Sequence, residues 1–569
     1  MDSLIAENFV YDATLDNTIP DGDRHLIIQK NVSPYFDQQK GVGSYNNGKV
    51  IIDAQTGNGS DFNDWSNAYI TLPYVISCTD TIGADPGNIT SNGLLEPSLL
   101  IGLKNESLID SIRIEQGGRT IVNESQNLSH LINFVKHCTS TSESRSSDTR
   151  FNKYSPDGCN QSGATVTGLS QVCAATGIAG VNNVQNVFVG SASTTANGTS
   201  MNLNSGLLDR QLALFPPEET FFSTQAQKAA EYLPVQDAKS FPTAASGTLV
   251  LSRIHFLAVI YLRDLSDFFK KIPLTKGGFK VTLTVNQATT TFGAITSQTP
   301  FSLLPTNTQT NVSSGSVQPM MFSVGPGTSC ANLTYTNNVS HTIVCSASID
   351  TSTPSGTNNG PLQNGVSLYV PTYTMAPEYE QKLLSKSIVH RSPYMVQGAV
   401  YVDQVASTPI NLQLFSAISN PRALIIIPQY ATSVQTQPSQ ASIFNSCPGN
   451  SDPYLNLQRI QIRINGKGIL PSPINYAYQQ FIENTSKIFK LNGGQTELTS
   501  GVISMTKFSQ NFRYYAFDLD LLPEDQIDIP QIITLEGFNG SNVKIDLYVY
   551  VLYAQDANFD LLKGTVEIR

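Results

Sequence analysis

The sequence predicts an all-β protein made of two antiparallel sandwiches side by side, with long loops and a few short helices. Three observations point there. Apolar residues recur with a period of two in segment after segment. Helical signals are few and short. Long stretches rich in Ser, Thr, Gly and Asn separate the periodic segments, as loops on a rigid scaffold do.

The elements follow in chain order. Ile112 and Ile114 alternate with Arg113 and Glu115, and Gly117-Gly118 then makes a tight turn into Thr120-Ile121-Val122. Ile254 to Leu262 is an apolar run short enough for one buried strand. Asp264 to Ile272 suits two helical turns. Phe279, Val281, Leu283 and Val285 alternate with Lys280, Thr282, Thr284 and Asn286, a half-buried strand. Pro377 to Ser385 carries proline in its first turn, as a helix start allows. Leu424 to Ile427 ends at Pro428 and reads as a strand buried on both faces. Ile460, Ile462 and Ile464 alternate before Asn465-Gly466. Pro473 to Phe489 is the longest helical candidate, with Tyr476, Phe481 and Ile482 able to share a face. Val543, Ile545, Leu547, Val549, Val551 and Tyr553 form the apolar face of a closing strand whose other face is mixed.

The polar stretches 139–205, 286–318 and 351–365 are expected loops, and 351–365 reads as a linker. The expected division is an N-terminal arm at 1–24, a first sandwich at 25–350 inflated by loops, and a second at 366–569. A weak echo supports two halves: a strand pair around a turn (99–122; 411–430), then an aromatic-bearing helix and more strands (264–285; 473–518).

Composition bounds the function. The 569 residues hold 44 acids and 34 bases, a net charge of −10, and only 14% are charged. An average soluble chain has about 25%. Hydrophobic residues reach 40%, enough for large cores. An overall basic nucleic-acid coat is excluded, although a local basic patch is not. Ser, Thr, Asn and Gln replace the missing charge, which suits loop-rich or subunit-contacting surface. Met1-Asp2-Ser3 is followed by no basic region and apolar run, so no secretory leader is expected. No stretch nears the ~18 apolar residues that cross a bilayer. The seven cysteines (78, 138, 159, 173, 330, 345, 447) include no Cys-x-x-Cys and read as buried free thiols. Cys330 and Cys345 flank a plausible hairpin, and their pairing is left open. Sequons such as Asn105, Asn123, Asn197 and Asn332 are expected to be unused without a secretory route.

Catalytic motifs are missing: no Gly-x-Ser-x-Gly, no Walker loop, no His-Glu-x-x-His. Gly41-Val-Gly43 lacks the third glycine of a dinucleotide loop. His130 and His137, beside Cys138, share a helical face; a polar loop or helix face outweighs a metal site. Asp61-Phe-Asn63-Asp64 begins like a cation loop but Trp65 takes a ligand position, so it fails as an EF-hand. Asp518, Asp520, Glu524, Asp525 and Asp528 form an acidic group that reads first as a solvated loop or subunit rim. Lys270, Lys271, Lys276 and Lys280 follow Phe268 and Phe269. The two rings are expected to pack into the sandwich base rather than stack on nucleobases. The lysines are expected on a solvated face, or against an acidic neighbour, genome or membrane.

Five segments in order resemble the double jelly-roll major capsid proteins of eukaryotic DNA viruses, chiefly polinton-like viruses and virophages. They are Leu103 to Ile114 with its Gly-Gly turn, Leu262 to Lys276 leading to Asn286, Leu368 to Glu378, Ile418 to Pro428, and Tyr514 to Leu519 with the strand to Tyr553. The resemblance implies two eight-stranded jelly rolls per chain and a homotrimer posing as a hexagonal capsomer in an icosahedral shell. It implies penton and minor or cement protein partners, contact with an internal membrane or genome, and a place in the virion capsid after assembly in host cytoplasm or nucleus. No cofactor, metal or catalytic residue is expected. Phe268, Phe269 and the four lysines become candidates for an interface at the capsomer base, and the acidic group for a rim. The arm before Asp21 is expected to order at that base on contact with neighbours. Two other readings stand beside this one: a glycan-binding sandwich for attachment, and a β-sandwich glycoside hydrolase using two carboxylates, for instance Asp518 or Glu524.

Overall fold

The computed structural model describes residues 27–36, 43–44, 48–54, 61–82, 108–124, 127–140, 236–238, 249–286, 288–292, 305–310, 339–349, 366–385, 388–431, 455–489, 501, 503–505, 508, 512–519, 529–541, 544–561 and 563–568. In chain order the strands of the first half are β1 (Ile27–Phe36), β2 (Gly43–Ser44), β3 (Lys49–Asp53), β4 (Phe62–Asn63), β5 (Tyr69–Ile82), β6 (Ile109–Gln116), β7 (Arg119–Glu124), β8 (Gln236–Ala238), β9 (Leu249–Tyr261), β10 (Lys280–Val285), β11 (Ala288–Phe292), β12 (Pro305–Thr310), β13 (Val339–Ile349) and β14 (Ser367–Met375). Those of the second half are β15 (Ile388–Arg391), β16 (Tyr394–Gln404), β17 (Pro409–Ile418), β18 (Pro421–Tyr430), β19 (Leu457–Ile464), β20 (Lys467–Gly468), β21 (Tyr515–Asp518), β22 (Gln531–Asn539), β23 (Ile545–Ala554), β24 (Ala557–Asp560) and β25 (Thr565–Ile568). The helices are α1 (Leu128–Thr139), α2 (Leu262–Leu265), α3 (Asp267–Lys271), α4 (Pro377–Leu384) and α5 (Tyr478–Phe489).

The pairing repeats. In the second half one sheet runs β16-β23-β18-β21 and the other β17-β22-β19-β20. In the first half β1-β14-β5-β9 and β3-β10-β6-β7 are the counterparts. Counting the eight strands of each set along the chain, both halves have sheets in the order 1-8-3-6 and 2-7-4-5. That is the antiparallel jelly-roll order, two interlocked Greek keys. The chain is therefore a double jelly roll. In the first roll β5 is long enough to serve two partners on one edge. Its start pairs with β14, Tyr69↔Tyr369, and its remainder with β13, Tyr74↔Ala347 to Ile82↔Val339. Strands β11 and β12 extend the sheet beyond β13.

Each core is the inward half of the alternation. Ile52, Val281, Ile114 and Val122 stand in one cross-strand row, and all are buried. Leu412, Leu535 and Ile462 form a matching row in the second roll. A fully buried branched side chain contributes about 1.5–3 kcal/mol over an exposed one, so such rows hold the register. Two-residue turns close two hairpins: Gly117-Gly118 with φ of +57° and +81°, and Asn465-Gly466 with φ of +49° and +80°. Both central residues at positive φ make the turn whose twist matches the strands, which favours Asn and Gly there.

Several expectations change. Residues 286–318 were expected as loop, yet β11 and β12 lie within them; they are Thr-rich and lack an apolar alternation to betray them. Strand β14 falls inside the expected second sandwich, 366–569, but hydrogen-bonds to β1 and β5 of the first. The echo between halves also shifts. By strand order the hairpin β6–β7 corresponds to β19–β20 rather than to 411–430, and α1 corresponds to α5. The helical stretch at 264–272 breaks at Ser266 into α2 and α3, where the Ser266 hydroxyl caps Phe268 N–H at 3.3 Å. The long helix starts at Tyr478, not Pro473, because Ile474 bridges to Ile460 as extended chain. The arm 1–24, the linker 351–365, the loop from 141 to 205 and Cys330 lie outside the described residues.

Candidate functional site

The chemistry-bearing side chains gather at the seam between the two rolls. Helix α1 makes that seam. It leaves hairpin β6–β7 through Asn127, held at φ +57° with its N–H donating to the Asp110 carboxylate at 2.9 Å. Its residues 129, 130, 133, 134 and 137 share one face by helical spacing. That face meets the outer side of the β16-β23-β18-β21 sheet. Tyr550 on β23 donates its hydroxyl to the Asn127 carbonyl at 2.6 Å. The His130 ring lies 4.2 Å from that of Tyr548, and its Nδ1 is 3.1 Å from Gln429 Nε2 on β18. Phe134 meets Tyr514 edge-on at 5.0 Å, and His137 meets Phe512 at 4.8 Å. The mixed face of the closing strand is thus the face that receives α1, which is why Tyr548 and Tyr550 stand there.

Burial sets the electrostatics. His130 is pushed down to about 3 by its apolar surroundings, so the ring is neutral. The Asp110 carboxyl is raised by desolvation, which the Asn127 N–H partly offsets. Burial lifts the Cys138 thiol well above its usual value, so it is inert rather than nucleophilic. Burial pushes Tyr515 up to about 12, while its hydroxyl accepts from Leu457 N–H at 2.8 Å. These groups are structural. Among the described residues no three His, Cys, Asp or Glu side chains cluster to hold a metal ion.

The opposite face of α1, with Leu128, Leu131, Ile132 and Val135, lines a cavity of about 400 Å³ between the rolls. Tyr394, Val396 and Leu552 of the second roll close it, and Lys136 pairs with Asp264 at 2.8 Å on its rim. Asp267 accepts from Tyr394 N–H at 3.0 Å across the same seam. At another point the hairpin β24–β25 reaches back to the first roll. Gln116 donates to Gly564 O at 2.7 Å and accepts from Val566 N–H at 2.9 Å. Gly277 packs so closely on Gly564 that a Cβ there would sit 1.9 Å from its carbonyl oxygen. Gly277 O in turn accepts from Trp65 Nε1 at 3.0 Å and Asn63 Nδ2 at 3.1 Å.

The residues singled out from the sequence scatter around this seam. Phe268 and Phe269 are wholly buried, packed with Trp65 and Phe279 of the first roll and with Phe559 on β24 of the second half, and offer no surface for contact. Lys276 is tied to Glu380 at 2.6 Å and Lys280 to Glu115 at 3.0 Å. Lys270 and Lys271 are exposed, and Lys270 borders the cavity. Asp518 ends β21 and lines the cavity; Asp520, Glu524, Asp525 and Asp528 lie outside the described residues. The cation-like Asp61-Phe-Asn-Asp64 segment is internal scaffolding. Asp64 accepts from Ser66 Oγ at 2.6 Å, Asn67 Nδ2 at 2.7 Å and Tyr373 OH at 3.2 Å, and Asp61 from Thr374 at 2.9 Å. His130 and His137 share a helix face, and that face is buried against aromatic rings rather than polar. Helix α1 as a whole went unrecognised. Its polar residues at 129, 133 and 137 point into protein, so the usual rule of polar outside and apolar inside mislabels it.

No family model matches the chain, and no curated protein matches it. Solved structures are similar over most of its length. The Sputnik virophage structure matches at 11% identity and a TM-score of 0.45, covering 97% of this chain and 91% of that one. The mavirus major capsid protein matches at 10% identity and 0.46, covering 97% and 92%. The Faustovirus major capsid protein matches at 8% and 0.42, covering 95% and 92%.

Proposed function

We propose that this chain is a major capsid protein that self-assembles into trimeric, pseudo-hexagonal capsomers of an icosahedral virus shell. The observation that carries this reading is the repeat of one eight-strand order in two rolls of a single chain, locked by a polar and aromatic seam. Three such chains present six similar lobes, and a closed ring of six lobes tiles a surface as a hexagon does. The five ordered sequence segments described above favour the same reading. The side chains at the seam serve packing, so the work of the protein is geometric rather than catalytic. We place the division between the rolls after β14, at α4, with the arm at 1–24 as a separate segment. Exposed Lys270 and Lys271 suit contact with an acidic neighbour, a genome or a membrane surface, and penton and minor capsid proteins complete the list of partners. The virion shell, assembled in the host cell, is the location that follows.

Light scattering on the purified chain tests the reading. Particles of three times 61.7 kDa, forming hexagonal arrays by negative-stain microscopy, are the expected result. A strict monomer that binds glycans on an array would overturn it.

A further inference from the structure

Packing at the seam stops short at the cavity of about 400 Å³ beside α1. Its walls include Val135 on α1, Val396 on β16, Ile488 and Phe489 on α5 and Leu552 on β23, so both rolls contribute. Each of the five packs against the core and stays only partly buried. Apolar surface left facing a concave space is costly in water, and an apolar body seated there removes the cost. The volume falls within the roughly 300–1,000 Å³ of sites that hold small molecules. The mouth has a different chemistry. Exposed Lys270 on α3 borders it from the first roll and exposed Lys487 on α5 from the second. Lys270 forms no ion pair among the described residues, and Lys487 meets Glu483 only at 3.6 Å, with both side chains more than half exposed. Of the three carboxylates in the lining, Asp264 is neutralised by Lys136 at 2.8 Å and Asp267 accepts from Tyr394 N–H at 3.0 Å. Among the described residues five basic side chains line the cavity against those three acids, so its lining is net positive.

We propose that this cavity binds one single-chain anionic amphiphile, a free fatty acid by chemistry, with its hydrocarbon tail against the apolar walls and its carboxylate at Lys270 and Lys487. The division between walls and mouth names the class. A neutral apolar body would leave the two lysines unused. A sugar or a nucleotide would meet walls of aliphatic and aromatic carbon that offer its hydroxyls no partners. An anionic head on an apolar tail matches both parts, with the head kept in water where the lysines stand. A tail seated there touches α1 of the first roll together with α5, β16 and β23 of the second. It therefore ties the rolls to each other, and a ligand held only by the folded chain stabilises that chain.

Calorimetric titration of the full-length chain with octanoate, decanoate, dodecanoate and tetradecanoate tests this. The expected result is one molecule bound per chain, with affinity rising about fourfold for each added methylene until the tail outgrows the cavity. Two variants locate the site. Val396→Trp puts an indole into the cavity and is expected to abolish binding with circular dichroism unchanged. Lys270→Gln with Lys487→Gln alters exposed side chains alone, so it keeps the test decisive where the tryptophan disturbs the fold. It is expected to weaken dodecanoate about tenfold and to leave the neutral dodecanol unchanged. Uptake that does not saturate overturns the proposal, as does a lysine variant that binds dodecanoate as the wild type does, or a folded Val396→Trp chain that still binds it. Attachment to phosphatidylserine vesicles without binding of free dodecanoate overturns it too, since the acyl chain would then belong to a membrane. Each readout is made on the chain itself, so the capsid reading stands or falls separately.

Discussion

Asn133 sits midway along α1, fully buried, with neither its amide nitrogen nor its amide oxygen hydrogen-bonded. A buried polar group without a partner costs about 1–3 kcal/mol. Asn133→Leu keeps the branching at Cγ and removes both orphaned polar groups; after the cost of its extra bulk it is expected to raise stability by about 1 kcal/mol, read as a higher urea midpoint. A lower midpoint would mean that an ordered water satisfies the amide and that the leucine displaces it. His130 gives a pH signature. Its folded value is about 3 against an ordinary 6.5, so between those values the unfolded chain binds the proton and the folded chain does not. Stability from the neutral ring is complete above pH 6.5 and is lost as pH falls towards 3. His130→Gln is expected to lose less stability than the parent between pH 7.5 and pH 5. Equal losses would show that the proton finds His130 without unfolding. Asp110, raised by burial, acts in the opposite sense, since protonation relieves its desolvation as pH falls.

At the scale of elements, the joint between Gly277 and the β24–β25 hairpin is the closest approach at any of the described glycines. Gly277→Ala places a methyl group against the Gly564 backbone, which cannot turn aside as a flexible side chain would. Overpacking of this kind costs about 1–3 kcal/mol, and here it levers the C-terminal hairpin away from Gln116. Faster proteolytic cleavage after residue 556, with the earlier strands protected, is the expected result; an unchanged digestion pattern would show that the hairpin does not depend on the joint. The elements also mark how far the sequence can be read. Strands with a clean period of two, such as β10, β19 and β23, were legible because each buries one face and a register slip would expose it. The Gly117-Gly118 and Asn465-Gly466 turns were legible because few residues tolerate positive φ. β11 and β12 were not, since their threonines carry no apolar signal. Nor was α1, whose polar stripe is buried by a roll that starts more than 240 residues later. The seam depends on tertiary packing, so local pattern could single out His130 and His137 but not their place in it.

At the scale of the whole molecule, the question is whether two rolls mean two folding units. Domains joined by a small polar contact unfold separately and move relative to one another. Here the seam is of a different kind. Helix α1 belongs to the first roll by sequence, yet Asn127, His130, Phe134 and His137 all complete the second roll's outer sheet face. The second roll returns the contact through Gln116 and Gly564, and the Asp267–Tyr394 bond adds a further tie. Separating the rolls would expose Tyr548 and Tyr550 and leave the Asn127 carbonyl without the Tyr550 hydroxyl. The rolls are therefore expected to unfold together, in one calorimetric transition whose van't Hoff and calorimetric enthalpies agree for the dissociated chain. Two resolved transitions would show that the seam is a soft joint. The expectation matters for assembly, because a lobe that rocks against its twin could not hold the angle at which six lobes close. A chain that melts as one unit carries that angle into the ring before any neighbour arrives.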